Sequence, residues 1–285
     1  MIKHSLSLSE KLEVVYISMW RYGKLMTRFK TSFFFSIVAM FVSITTFYYF
    51  GQVFGDATAV AVEDYGGNYF SYVLIGLAFN QFAVTSLSTY LATVQNIYWS
   101  NWLELILTAP MRLKTYFVAA MSWAYTYSTI LIAFYFIIGV GIFGAAIAFP
   151  PGWYVIILIL FLTVLSISGI GLMAASTFML LNAKGQVEPI SWFVGTVSAL
   201  VCGVYYPPEL LPPSIHAISY IFPHTYALEG LREILLNGKG LMDPSIQMII
   251  LILAIFSMIL LPLGMAMFKS GIKKAEKDGT LARWV

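Results

Sequence analysis

Long apolar runs dominate the chain, and its polar residues are gathered into a few short intervals between them. Six runs are long enough to cross roughly 30 Å of hydrocarbon at about 1.5 Å of helix rise per residue. They predict transmembrane helices near 31–51, 69–91, 115–143, 153–181, 189–206 and 246–268. The fifth is the shortest, and it crosses only if the proline-broken segment after it is also embedded. Helices satisfy their own backbone in lipid, so the pattern predicts an all-α integral membrane protein, with residues 1–285 forming a single transmembrane domain.

Ahead of the first span the period changes. Leu8, Leu12, Val15, Met19, Tyr22, Met26 and Phe29 recur at alternating spacings of four and three, which predicts an amphipathic helix over 8–30. Lys11, Arg21, Lys24 and Arg28 fall largely off that face, and with Trp20 and Tyr22 they suit a helix lying in the headgroup layer. A soluble coiled-coil arm is the other reading, disfavoured because a span follows at once.

The fifth run and its sequel are the most structured part of the pattern. Ser191, Gly195, Ala199 and Gly203 fall at every fourth position, a smooth stripe on which a second helix can pack closely. The packing partner is either another span of the same subunit or a second copy. Prolines 207, 208, 212 and 213 then end the helix. From 207 to 237 the chain is too polar to span and too apolar for an ordinary loop. It predicts a re-entrant helical hairpin on the outer side, its second half carrying Leu228, Leu231, Ile234 and Leu235 on one face. Tyr205, Tyr206, Glu209 and His216 at its mouth are candidate gate residues, while Glu229 and Arg232 are placed to pair at i and i+3.

Charge sets the orientation. With the N-terminus inside, fourteen Lys and Arg residues fall in inner segments, and only Arg232 and Lys239 in outer ones. That bias predicts both termini in the cytoplasm of a plasma (inner) membrane protein. Composition agrees: the chain is 60% hydrophobic and 10% charged, where a soluble domain carries about 25% charged residues. The single cysteine, Cys202, lies in an apolar run and reads as a packing residue. The N-terminal thirty residues are mixed in polarity and read as part of the working protein, not as a removable signal.

Candidate chemistry is sparse. No Ser-His-Asp order, H-E-x-x-H or cysteine motif supports catalysis or a metal, and no G-x-x-x-x-G-K-[ST] loop is present to cradle ATP phosphates. His216 and His224 read as interfacial, and Glu188 as a carboxylate favoured by the helix start of span five. The amides Asn80 and Gln81, followed by Thr85, lie deep in span two and face either a translocation path or a neighbouring helix. Thr45 and Thr46 in span one carry the same ambiguity. Between spans two and three, residues 97–110 predict a short amphipathic helix. Trp99, Trp102, Leu103 and Ile106 share a face, Glu104 points elsewhere, and Thr108-Ala109-Pro110 ends it. It can enter a groove on a cytosolic partner or rest on lipid.

The run Leu103-Glu104-Leu105-Ile106-Leu107-Thr108-Ala109-Pro110 resembles the inner-loop signature of type-2 ATP-binding-cassette (ABC-2) exporter permeases. Gly203–Pro212 followed by Pro223–Arg232 resembles the second signature of that family, and the six-span layout with an interfacial helix covers nearly the whole chain. Asn101-Trp102 stands where many members have a glycine-threonine pair. The resemblance implies a permease subunit without its own nucleotide site, ATP and Mg belonging to a separate ATPase subunit. It implies that Trp99, Trp102, Leu103, Glu104, Leu105, Thr108 and Pro110 couple to that ATPase. It also implies pairing across spans five and one, with Ser191, Gly195, Ala199 and Gly203 at the contact, as a homodimer or with a similar permease. The expected substrate is amphipathic or lipid-linked, moved outward; membrane lipid is a partner and nucleic acid is not. An ATP-independent channel or an intramembrane enzyme is the alternative, the enzyme opposed by the lack of paired intramembrane carboxylates.

Overall fold

The structure, a computed structural model, describes residues 7–28, 30–66, 68–99, 113–148, 152–181 and 189–277. Every regular element among them is helical. In chain order these are α1 (Leu8–Arg28), α2 (Lys30–Ala61), a 3₁₀ turn (Glu63–Tyr65), α3 (Tyr69–Trp99), α4 (Leu113–Gly141) and α5 (Tyr154–Leu180). After them come α6 (Pro189–Val201), a 3₁₀ turn (Pro208–Leu210), α7 (Pro213–Ser219), α8 (Pro223–Leu235) and α9 (Pro244–Lys277).

Five of these helices, α2, α3, α4, α5 and α9, are long and apolar enough to cross a membrane. The expected fifth span corrects to something shorter. The apolar run was read to residue 206, but α6 has 13 residues, about 20 Å of helix, and stops at Val201. The cause is Gly203, whose φ of +88° turns the chain out of the helix before the prolines are reached. Among the described residues, then, five helices are of membrane-crossing length and α6 is a shorter apolar helix.

Past the first predicted span, α2 continues ten residues beyond 51 to Ala61, bent at Gly55 (φ +26°, ψ −103°), before the 3₁₀ turn and a left-handed Gly66. Helices α3 and α9 run past the predicted ends at 91 and 268 to Trp99 and Lys277, and the remaining bounds move by one or two residues.

The bundle is organised on α3, which is buried along most of its length between α4 and α5. Helix α9 lies along α5, and backbone meets backbone where they cross. A Cβ built on Gly264 would lie 2.2 Å from the Gly169 carbonyl oxygen, so neither position admits a side chain. Small residues replace hydrophobic drive here, since lipid supplies none between helices. Ser176 Oγ donates to the Met267 carbonyl (2.6 Å), and Lys274 Nζ caps the α5 end at the Leu180 carbonyl (2.7 Å).

The predicted apolar face of α8 is correct in the structure. Leu228, Leu231, Ile234 and Leu235 are buried in a cluster with Ile75 and Phe79 of α3, Val155 and Ile159 of α5, and Ile246 and Ile249 of α9. The two helices α7 and α8 thus form a cap on one end of the bundle, each starting on a proline at its first turn, where a missing N–H costs nothing.

Candidate functional site

The cap is held by a charge that the sequence placed elsewhere. Arg232 was expected to pair with Glu229; instead its side chain is 2% exposed and turns into the protein. Its Nε and Nη2 both donate to the Tyr72 carbonyl of α3 (3.3 and 3.2 Å), and Nη2 also donates to the Val204 carbonyl (3.4 Å). The guanidinium carbon lies 3.4 Å from the centre of the Tyr72 ring. Val204 belongs to the segment just past α6, so one side chain ties α8, α3 and the broken end of α6 together. Carbonyl oxygens and a ring face are suitable partners for a planar, weakly hydrated cation.

The surroundings are shaped to admit this contact. A Cβ on Gly76 would fall 2.1 Å from the Val204 oxygen and 3.0 Å from Nη2 of Arg232. Gly203 packs against Pro208, and its carbonyl accepts from the Tyr72 hydroxyl (3.3 Å). Further ties run from Asn237 Nδ2 to the Asp64 carbonyl (3.0 Å) and from the Ala148 amide to the Leu235 carbonyl (3.0 Å).

Of the predicted gate residues, Tyr205 stacks on Phe47 of α2 with ring centres 5.3 Å apart. Tyr206 is half-buried and Glu209 exposed on the 3₁₀ turn. His216 lies against the Tyr220 ring (4.9 Å), its Nε2 buried and without a hydrogen-bond partner. His224, read as interfacial, is fully buried beside Phe79 and Phe222, and burial pushes its pKa down to about 4. Glu233 pairs with Lys239 at 2.8 Å. Glu229 is half-buried; burial raises its carboxyl above the ordinary value, and Glu209 and Glu233 nearby add to the effect.

Of the predicted path residues of α3, Thr85 faces α4. Thr85 Oγ1 donates to Ser128 Oγ (3.2 Å) and, with Ser128 Oγ, to the Gln81 backbone carbonyl. Asn80 and Gln81 are half-buried. One turn on, the Tyr125 hydroxyl of α4 reaches Ser86 of α3 (3.0 Å) and Ser168 of α5 (3.2 Å), joining three helices. In span one, Thr46 bonds its own helix at the Val42 carbonyl and is exposed, whereas Thr45 Oγ1 is buried without a partner.

The small-residue stripe of α6 looks inward over half its length. The position a Cβ would take on Gly195 is 3.5 Å from Leu87 of α3, and Gly203 is enclosed by Pro208 and Arg232. Ser191 and Ala199 are half-buried. The face of α6 left open carries Trp192, Phe193 and Leu200 instead. Of the inner-loop residues, Trp102, Leu103, Glu104, Leu105, Thr108 and Pro110 lie outside the described residues, as does the Trp99 side chain at the end of α3. Among the described residues no group of His, Cys, Asp and Glu could hold a metal.

Sequence reading missed Arg232, Tyr72, Gly76, Tyr125 and Ser168 as a set. A lone arginine in a half-apolar segment was the available signal: so exposed a charge would be unremarkable, whereas a buried one needs partners the sequence does not show.

Comparison with known sequences follows the same boundaries. The family model described as ABC-2 type transporter matches residues 13–236, from α1 through α8. No curated protein matches the chain.

Proposed function

The chain belongs to the ABC-2 type transporter family and is a membrane-spanning permease subunit of an ABC transporter, and we propose that a separate ATP-binding subunit drives it to export an amphipathic or lipid-linked substrate. The observation that carries this reading is the course of α3. It runs unbroken from Tyr69 to Trp99, about 46 Å. Near its cap end Tyr72 and Gly76 clasp Arg232 and Val204, and its other end leads straight into the inner loop. A push delivered at the loop is thereby transmitted along one helix to the cap, which Arg232 and its apolar face tie to that helix.

An open cavity of about 410 Å³ beside the Gly55 bend mixes the amides of Gln52 and Asn68 with the rings of Tyr48 and Tyr69. That mixture suits an amphipathic substrate. The positive-inside bias supports placing both termini in the cytoplasm and the cap outside. Two copies are proposed to pair, with the open face of α6 at Trp192, Phe193 and Leu200 as the contact supported by exposure.

The test is a pull-down of the tagged protein from its native membrane, wild type against a Glu104→Ala plus Leu105→Ala variant. An ATPase that co-purifies with wild type and is lost from the variant supports coupling through the inner loop. An ATPase retained by both removes the loop from that role. A folded permease with no ATPase in either sample returns the reading to an ATP-independent channel.

A further inference from the structure

The apolar interior around α3 and α5 is divided in two along the bundle. One cluster belongs to the cap: Phe79 and Leu87 of α3, Ile159 of α5 and Leu253 of α9 pack with the apolar face of α8. The other joins the ends of α3 and α4 that flank the inner loop, with Val94 and Ile97 against Phe117, Phe178 of α5 and Ala275 of α9. The two part at one level, between residues 87 and 91 on α3, 170 and 175 on α5, and 260 and 268 on α9. At that level α5 meets its neighbours without side chains. Gly169 and Gly171 stand two residues apart, about 200° around the helix, and so face opposite ways. A Cβ on Gly169 would strike the Leu260 peptide of α9, and one on Gly171 would lie 2.8 Å from the Ser86 and Leu87 carbonyl oxygens of α3. Interdigitated side chains must unlock before two helices change angle, whereas a bare-backbone crossing can roll about its contact.

The helices on either side of α5 differ in stiffness. Helix α3 runs through this level without a break. Helix α9 carries Pro262 there, which lacks the amide that the Met258 carbonyl would accept from, and a helix bends at such a turn. One side chain spans the level. The Tyr125 hydroxyl of α4 donates to Ser86 Oγ of α3 (3.0 Å) and lies 3.2 Å from Ser168 Oγ of α5, and both serines are buried. We propose that Gly169 and Gly171 of α5 form a fulcrum on which α3 rocks as a stiff lever, its loop end and its cap end moving in opposite senses, and that the Tyr125 hydroxyl latches the tilt of this structure. The device deepens the permease reading, in which α3 joins loop to cap. Its test needs neither cargo nor ATPase, so that reading can fail while the fulcrum stands.

The experiment places the full chain, in a Cys202→Ala background, in lipid nanodiscs with paired nitroxide labels, and reads their separations by electron paramagnetic resonance. Asn96→Cys with Leu181→Cys labels the loop ends of α3 and α5, and Asn68→Cys with Trp153→Cys their cap ends; all four positions are exposed. Tyr125→Phe deletes only the shared hydroxyl. It should move the mean separations of the two pairs by about 1–2 Å, one lengthening while the other shortens. Gly171→Ala drives a methyl onto the Ser86 and Leu87 carbonyls and should instead lengthen both, lifting α3 off α5. If Tyr125→Phe does not yield folded protein, Ser168→Ala removes one arm of the latch and should give the same opposed shifts at smaller amplitude. Unchanged separations in the latch variants overturn the proposal. A shift confined to one pair also overturns it, since α3 would then be bending, and so do shifts of both pairs in one direction, which are simple separation.

Discussion

The guanidinium of Arg232 covers the ring of Tyr72 at 3.4 Å and donates twice to the backbone carbonyl of that same residue. This doubled contact joins the cap to the central helix, and the third donation, to Val204, fixes the end of α6. Removing it leaves a buried carbonyl without its donor, at about 1–3 kcal/mol for an unsatisfied group, and empties the space over the ring. Arg232→Ala should therefore lower stability by about 3 kcal/mol or more. Arg232→Lys should fall between, because an ammonium cannot reach both carbonyls with a planar fork. Thermal melts of the purified protein check this; an alanine variant melting with wild type would mean the cap is held by its apolar face alone.

The crossing of α5 and α9 is equally specific. Gly264→Val places carbon where the Gly169 carbonyl already stands, and the helices must separate. A loss of about 1–3 kcal/mol is expected for overpacking of this kind. Leu263→Val, one residue along and 50% exposed, should change stability by less than about 0.5 kcal/mol. Similar melts for the two variants would show that this contact is not close-packed.

Glu229 gives the cap a pH dependence. Its folded-state carboxyl holds the proton more tightly than the unfolded chain, where the ordinary value is 4.5. Its contribution to stability is therefore fully present below about that pH and is lost as pH rises through the folded value. Glu229→Gln cannot ionise, so it should be the more stable protein at pH 7, with the gap closing toward pH 4.5. Melts across that range that stay parallel would show that Glu229 titrates as an exposed carboxyl.

Pairing of two copies can be separated from folding of one. Gly195→Leu should destabilise the subunit, since Leu87 occupies the space beyond it, while Trp192→Ala plus Phe193→Ala should leave the melt within about 0.5 kcal/mol and weaken self-association. Crosslinking yield or mass in detergent reads the second effect. Loss of the dimer from Gly195→Leu at unchanged stability, with the aromatic pair silent, would return the contact to the small-residue stripe.

The sequence alone determined what lipid demands of any chain: apolar runs of membrane length, the amphipathic α1, and the apolar face of α8. These are local consequences of helix period and burial, readable without knowing what packs on what. Where α6 ends was decided by Gly203, visible as a glycine in the chain but not as a turn until Pro208 and Arg232 enclosed it. Whether Arg232 met Glu229 or the Tyr72 carbonyl was decided across a sequence separation of 160. The same is true of Tyr125 joining Ser86 and Ser168, and of α1 leaving Leu12, Tyr16 and Trp20 uncovered. A hydrogen bond or an open face is a relation between distant segments, and only the packed bundle brings those segments within reach. The pattern of the chain set the helices, and their contacts chose which polar groups became a clasp, a seam or a surface.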